Sequence, residues 1–223
     1  MKDYNILYVD DERANLNSLK SLFRRKFNII TATSGLQGLE LLEEHSIQLI
    51  IADQRMPLMT GIEFLKKVKE KWPDIKLILL TGYYDNQVVK EAVNEVGIYW
   101  YMNKPFENEK LELVIQKGLE VFKTIELLKD SEEKFKGVFN SMADVFIRRN
   151  MNGIGIMISP SVYDVMGYRP EEIIGQSVSK FFIDPKAPDE IMKSLLENKG
   201  VQTFESDIFK KDGSIITISS NSK

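Results

Sequence analysis

Apolar residues follow two different rhythms along this chain of 223 residues. In the first half, short continuous apolar runs alternate with stretches whose apolar positions recur every three or four residues. The runs are "YNILYVD", "NIITAT", "IQLIIAD", "IKLILLTG" and "IYWYMNKP". Being short, β-rich and uninterrupted by polar alternation, they predict strands covered on both faces. Between them, "ERANLNSLKSLFRRKF" brings Leu16, Leu19, Phe23 and Phe27 to helical spacing. "SGLQGLELLEEH" predicts a helix with Ser34 as N-cap. "GIEFLKKVKEKW" sets Ile62, Leu65 and Val68 on one face, and "NQVVKEAVNEV" predicts a fourth helix. A fifth, long helix begins near Glu107.

Strands alternating with helices predict an α/β fold: five parallel strands, doubly wound, with right-handed crossovers placing helices on both faces. Such sheets bind ligands at the carboxyl ends of their strands, near a switch in strand order. Those ends carry the chemistry here. Strand one ends at Asp10 and Asp11, strand three at Asp53, strand four at Thr81 and Gly82, strand five at Lys104 and Pro105. Any one of these acids alone reads as a solvated loop carboxylate. Three gathered on one edge repel one another and call for a counter-charge. Oxygen donors without His or Cys point to a hard cation, Mg²⁺ before Zn²⁺, and Lys104 adds a fixed positive charge.

The "DD" after strand one, "D..MP...G" after strand three, "TG" after strand four and "KPF" after strand five resemble the receiver domain of two-component response regulators, over residues 1–122. That resemblance implies a flavodoxin-like fold with Asp53 as phosphoacceptor, a carboxylate nucleophile forming an acyl phosphate. It implies Mg²⁺ (or Mn²⁺) held by Asp53 and Asp11, by Asp10 largely through water, and by the backbone carbonyl of Arg55. Lys104 would neutralise the transferring phosphoryl group. Thr81 would bond a phosphoryl oxygen, Gly82 would leave room for it, and Tyr101 would be the rotating switch aromatic, unless it only packs the sheet edge. Pro105 is a cis-peptide candidate. Arg55 departs from the smaller or amide residue frequent at its position, and its side chain is expected to shield the acyl phosphate from water. Met56 and Pro57 shape the loop. His45, the one histidine, reads as a residue at the end of helix two.

On the long helix, residues 107–139, Leu111, Ile115, Leu119 and Phe122 form a stripe suited to packing on the receiver sheet. A second series, Val114, Gly118, Val121, Ile125, Leu128, Glu132, Phe135 and Phe139, alternates steps of four and three, the heptad spacing. It predicts a parallel homodimer through residues such as Val121, Ile125, Leu128 and Phe135; the alternative is that both stripes pack within one chain.

After Phe139 the rhythm changes. "DVFIRR" and "GIGIMIS" predict two strands around "NMNG". "SVYDVMGYRPEEIIGQSVSKFF" predicts short helices and loops, and "VQTFESDIFKKDGSIITISS" a hairpin turning at "KKDG". Antiparallel strands with helices between them predict α+β. "SEEKFKGVFNSMADVF", "MGYRPEEIIG" and "F.KKDGS" resemble a PAS domain over residues 131–223. The family has five strands with the last lying beside the first, and the chain ends where the fourth should. The expectation is a fragment of a longer protein, or a sheet completed by another segment, with unpaired edges meanwhile. With no Cys and no His after His45, neither cysteinyl-flavin chemistry nor histidine-ligated haem is expected. Met151, Met157, Met166 and Met192 read as core filling. This half is expected to serve as a relay, a dimerisation module or a small-molecule sensor.

Composition narrows the function classes further. The absence of Cys removes thiolate nucleophiles and Cys-held metals. A net charge of −3 argues against nucleic acid as partner. No leader pattern and no run of ~20 apolar residues is visible, so a cytoplasmic protein without membrane contact is expected. The resemblance implies a histidine kinase as partner. An aspartyl phosphohydrolase would want its nucleophile after strand one with a second acid two residues on, and the adjacent Asp10 and Asp11 do not provide that. No output enzyme motif occurs. The expected function is therefore phosphorelay signalling rather than enzyme catalysis. The alternatives are a degenerate receiver–PAS interaction scaffold, or the N-terminal piece of a hybrid kinase or output enzyme.

Overall fold

The computed structural model describes residues 4–82, 92–197 and 201–222. They fall into two compact units, Met1–Lys129 and Asp130–Lys223. In the first, β1 (Asn5–Val9), β2 (Asn28–Ala32), β3 (Leu49–Asp53), β4 (Lys76–Thr81) and β5 (Trp100–Asn103) form one sheet in the order β2-β1-β3-β4-β5. Every pair in it is parallel. The helices are α1 (Arg13–Phe23), α2 (Gly35–Glu44), α3 (Gly61–Lys71) and α4 (Asn108–Ser141).

Alternate strand residues feed two separate cores. Leu7, Val9, Ile50, Ala52, Leu77 and Leu79 pack with Leu42 of α2 and with Phe64, Leu65 and Val68 of α3. Ile6, Tyr8, Leu49, Ile51, Ile78 and Leu80 pack with Leu16, Leu19 and Phe23 of α1 and with Leu111, Ile115 and Leu119 of α4. Both faces being covered, all five residues of β3 are buried, which is why the run is continuous rather than alternating. Each large aliphatic side chain so buried contributes ~1.5–3 kcal/mol, enough for β3 to anchor the middle of the sheet. Caps set the helix starts: Ser34 Oγ accepts the Gln37 N–H, and Thr60 with Glu63 closes a capping box on α3.

Three expectations need adjustment here. Phe27 lies beyond the end of α1, yet its N–H still reaches the Phe23 carbonyl and its ring packs 5.9 Å from that of Phe23. Of the fourth predicted helix, residues 86–96, the part up to 91 lies outside the described residues, and Ala92–Val96 form a π-helical turn. The two stripes of α4 are not separate. Val114 and Gly118 join Leu111, Ile115 and Leu119 in the receiver core, and a Cβ on Gly118 would stand 2.8 Å from Leu49 Cδ1. Helices that cover a sheet bury a face wider than a heptad seam, so the first two members of the heptad series belong to that face. From Val121 onward the series lies on the exposed or half-buried surface, with Leu128 67% and Phe135 54% exposed.

In the second unit β6 (Ile147–Arg149) pairs antiparallel with β7 (Gly155–Ile158), and β8 (Gln202–Phe209) with β9 (Ile215–Ser222). Among the described residues these are two two-stranded sheets, not one. The single bridges Ile154–Ser177 and Phe182–Ile208 supplement them. Between them lie α5 (Val162–Met166), α6 (Pro170–Ile173), a 3₁₀ turn (Val178–Phe181) and α7 (Ala187–Glu197). α7 was not expected from the sequence, although Asp189 and Glu190 in its first turn are the acidic start that a helix dipole favours. The core here is small: Ile158, Val162, Met166, Ile173 and Ile208. Met166 belongs to it, whereas Met151 is 73% exposed and fills no core. Among the described residues no helix is long and apolar enough to cross a membrane.

Candidate functional site

Strand order reverses between β1 and β3, because the chain leaves β1 for one side of the sheet and returns to the other. A crevice at the carboxyl ends of the strands follows from that switch. Asp53 closes β3, Asp10 follows β1 and Lys104 follows β5. Lys104 Nζ joins them, 2.6 Å from Asp53 Oδ1 and 3.0 Å from Asp10 Oδ2. The backbone reinforces this: the Lys104 N–H donates to the Thr81 carbonyl at 2.7 Å, and the Gln54 N–H to the Leu80 carbonyl at 2.8 Å.

Asp10 is almost wholly buried and well supplied with donors. Its Oδ2 accepts from the Tyr8 hydroxyl at 2.7 Å, and its Oδ1 from the Glu12 N–H at 2.9 Å. Asn15 Nδ2 lies 3.0 and 3.1 Å from the two oxygens. Burial pushes the Asp10 carboxyl up, but the bonds from Tyr8, Asn15, Glu12 and Lys104 together hold it below the usual carboxylate range. Lys104 shows the converse. Burial pulls its ammonium down, and the two carboxylates outweigh that and raise it. Burial first, then the bond to Asp10, drive the Tyr8 phenol far above its ordinary range, so it stays a donor.

Around Asp53 the chain is held tightly. Its Oδ2 accepts the Arg55 N–H at 2.9 Å. The buried Gln54 side chain accepts the Ile62 N–H at 3.1 Å, and the Gly61 N–H donates to the Gln54 carbonyl. A Cβ on Gly61 would stand 2.4 Å from the Asp53 carbonyl oxygen. Only glycine lets α3 begin this close to the end of β3. Thr81 is buried, Gly82 half-buried and Tyr101 on β5 is 42% exposed. The Lys104–Pro105 peptide is cis, and His45 caps the end of α2. A cleft of about 430 Å³, lined among others by Asn15, Leu19, Leu22, Lys104 and Phe106, opens beside the site.

The expected crowd of three carboxylates resolves into two. Asp11 is exposed, and no three acidic or histidine side chains gather among the described residues. Of two consecutive acids, only Asp10 reaches the buried donors, and Lys104 supplies the counter-charge directly. The groups expected to hold a cation, Asp10, Asp11, Asp53 and the Arg55 carbonyl, offer only oxygen, which fits a hard divalent cation. Tyr8, Asn15 and Gln54 were missed in the sequence, whereas Gly61 stood in the "D..MP...G" motif without a role of its own. Tyr8 was detectable in principle, since it stands two residues before Asp10 and so on the same side of β1.

Residues 6–116 match the profile of the response regulator receiver domain. The solved response regulator receiver domain protein from Clostridium thermocellum is 30% identical, with a TM-score of 0.52 over 55% of this chain and 98% of that one. The chain belongs to the response regulator receiver family. The signal receiver domain of an HD domain-containing protein from Pseudomonas fluorescens compares similarly, with 30% identity and a TM-score of 0.53 over 54% of this chain and 98% of that one. The hydrogenase transcriptional regulatory protein HoxA of Cupriavidus necator is 37% identical over 119 residues, 53% of this chain. The aerobic respiration control protein ArcA of Escherichia coli is 33% identical over 135 residues, 60% of this chain. The match spans only 25% of HoxA and 55% of ArcA. A PAS domain profile matches residues 142–221. The chain thus joins a receiver of two-component phosphorelay signalling to a PAS domain, a regulatory combination.

Proposed function

We propose that Asp53 accepts a phosphoryl group from the phosphohistidine of a partner histidine kinase. The observation that carries this reading is the Lys104 ammonium set 2.6 Å from Asp53 and 3.0 Å from Asp10. An Asp53 carboxylate oxygen attacks phosphorus, the bond from phosphorus to the donor nitrogen breaks, and the released imidazole takes up a proton. The product is an acyl phosphate. Lys104 is already charged and close enough to follow the phosphoryl oxygens as the P–N bond lengthens. Thr81 donates to a phosphoryl oxygen, Gly82 leaves space for it, and Tyr101 reports the change at the β5 edge. Asp53, Asp11, the Arg55 carbonyl and, through water, Asp10 would hold Mg²⁺ or Mn²⁺, which would supply further positive charge. The Arg55 guanidinium covers the acyl phosphate, so Arg55→Ala changes the rate at which phosphate is lost; an unchanged rate removes that role.

The receiver (1–122) then passes its state along the helix (107–139) to the PAS unit (131–223). The exposed and half-buried members of the heptad series support a parallel homodimer through Val121, Ile125, Leu128 and Phe135. Light scattering at high concentration checks it: the wild type elutes as a dimer and Leu128→Glu as a monomer. Beyond phosphorylating itself from small donors and losing the group again, no catalysis is assigned, and a cytoplasmic location suits a kinase partner. Incubation with acetyl phosphate and Mg²⁺ tests the core of the reading. Intact mass should rise by one phosphoryl group in the wild type and stay constant in Asp53→Asn. No uptake by the wild type would favour an interaction scaffold.

A further inference from the structure

We propose that the Tyr8 hydroxyl is a positioning residue that sets how tightly the site takes up a divalent cation, by occupying the Asp10 carboxylate from its buried side. This rests on the reading of Asp53, Asp10 and Asp11 as a cation-assisted phosphoryl site.

A carboxylate offers about four lone-pair positions. Asp10 makes five donor contacts. Oδ2 receives Tyr8 Oη at 2.7 Å, Lys104 Nζ at 3.0 Å and Asn15 Nδ2 at 3.1 Å, and Oδ1 receives the Glu12 N–H at 2.9 Å and Asn15 Nδ2 at 3.0 Å. An arriving cation, or a water it carries, needs one of those positions. Mg²⁺ keeps several of its waters and so brings donors of its own. It engages Asp10 only where an existing donor gives way.

The donors differ in their freedom to do so. Lys104 is shared with Asp53 and 32% exposed, so it can swing aside. Asn15 sits half-buried on the first turn of α1. Glu12 donates through its backbone. Tyr8 is 2% exposed, its ring packed among the residues of β1, α1 and α4. That packing fixes the ring beside Asp10, although Tyr8 also borders the cleft next to the site. Phenylalanine would pack the same core without the hydroxyl. Placing a buried hydroxyl there therefore changes chiefly the carboxylate: it holds Asp10 satisfied and correctly aimed at Lys104 before a cation arrives, at the expense of cation affinity.

The test uses the full chain, freed of metal. Mn²⁺ binding is followed by electron paramagnetic resonance. The Mg²⁺ dependence of phosphorylation by acetyl phosphate is followed by intact mass. Wild type, Tyr8→Phe and Asn15→Ala are compared, with thermal unfolding as the check on folding. Tyr8→Phe should tighten Mn²⁺ binding about fivefold, the worth of one hydrogen bond. The half-saturating Mg²⁺ should fall by a similar factor, more than any change in maximal rate. Asn15→Ala should shift both in the same direction. A merely structural Tyr8 would instead lower the unfolding temperature and the maximal rate and leave half-saturation in place. A folded Tyr8→Phe with unchanged or weaker Mn²⁺ binding overturns the proposal alone; if that variant does not fold, the same result for Asn15→Ala overturns it. A wild type that binds no Mn²⁺ overturns the proposal and the underlying reading together.

Discussion

Every residue of β3 is buried, whereas β9 alternates exposed and half-buried positions along its whole length. Both strands are rich in isoleucine. In the receiver, helices cover the sheet on two faces and the strand is locked from both sides. In the PAS unit the hairpin β8–β9 presents one face to a small core and the other to solvent. A two-stranded sheet alone is marginally stable. Only the first arrangement can hold a carboxylate such as Asp53 at a strand end, since the strand that carries it has no freedom to slide or tilt. The chemistry of the chain sits accordingly where the packing is two-sided.

That contrast can be broken by mutation. Ile51→Ala, in the fully buried strand, should destabilise the receiver by ~2–5 kcal/mol. Ile218→Ala in β9, half-buried, should cost only ~1 kcal/mol. Urea unfolding of the full chain measures both, and equal losses would remove the distinction. Gly61→Ala should cost the receiver ~1–3 kcal/mol, because backbone lies 2.4 Å from the added Cβ and cannot yield cheaply. Gly137→Ala in the part of α4 that belongs to the second unit meets nothing within 4 Å. It should stabilise by ~0.5–1 kcal/mol through helix propensity, so the two substitutions should have opposite signs.

A smaller effect attaches to the capping box of α3. Thr60→Ala should cost ~1 kcal/mol near neutral pH. Bonds from the Thr60 N–H and hydroxyl hold the Glu63 carboxyl below its usual range. A lowered folded value means that the stabilisation is fully present above the ordinary glutamate range and is lost as pH falls from there through the lowered folded value. The difference between wild type and Thr60→Ala should therefore shrink in acid, as thermal melts across pH would register. The smallest effect is at Leu58, which holds a φ of 68° in the loop after Asp53 and is 95% exposed. Leu58→Gly should relieve about 1 kcal/mol of left-handed strain, partly offset by the greater freedom glycine has when unfolded. A net loss of stability would show that the leucine side chain packs in solution.

The receiver sheet was readable because its strands carry apolar runs and four of the five, all but β2, end on residues with a distinct chemical role. Asp10, Asp53 and Lys104 could be placed on one edge from topology alone. What the pattern could not convey was which acids share the lysine. Asp10 and Asp11 are identical in type and adjacent in sequence, and the difference comes from Tyr8 and Asn15 behind one of them. Tyr8 was read as a strand residue, since nothing in an apolar run distinguishes a packing phenol from a donating one. Gly118 was assigned to a partner-facing seam because heptad spacing and a broad sheet-facing stripe share positions over two turns. In the second unit the helix α7 was missed, and the separation of the sheets into two pairs depends on tertiary contacts that no local period encodes.

The proposed chemistry of the site requires Asp53 to be the residue that takes the phosphoryl group. The full chain can be phosphorylated with acetyl phosphate and Mg²⁺, and the acyl phosphate then reduced with borohydride to a primary alcohol. Peptide mass mapping locates the reduced side chain. Modification confined to Asp53, and absent after Lys104→Met, is the predicted result. Modification at Asp10 or Asp11, or none at any of the three, would contradict it.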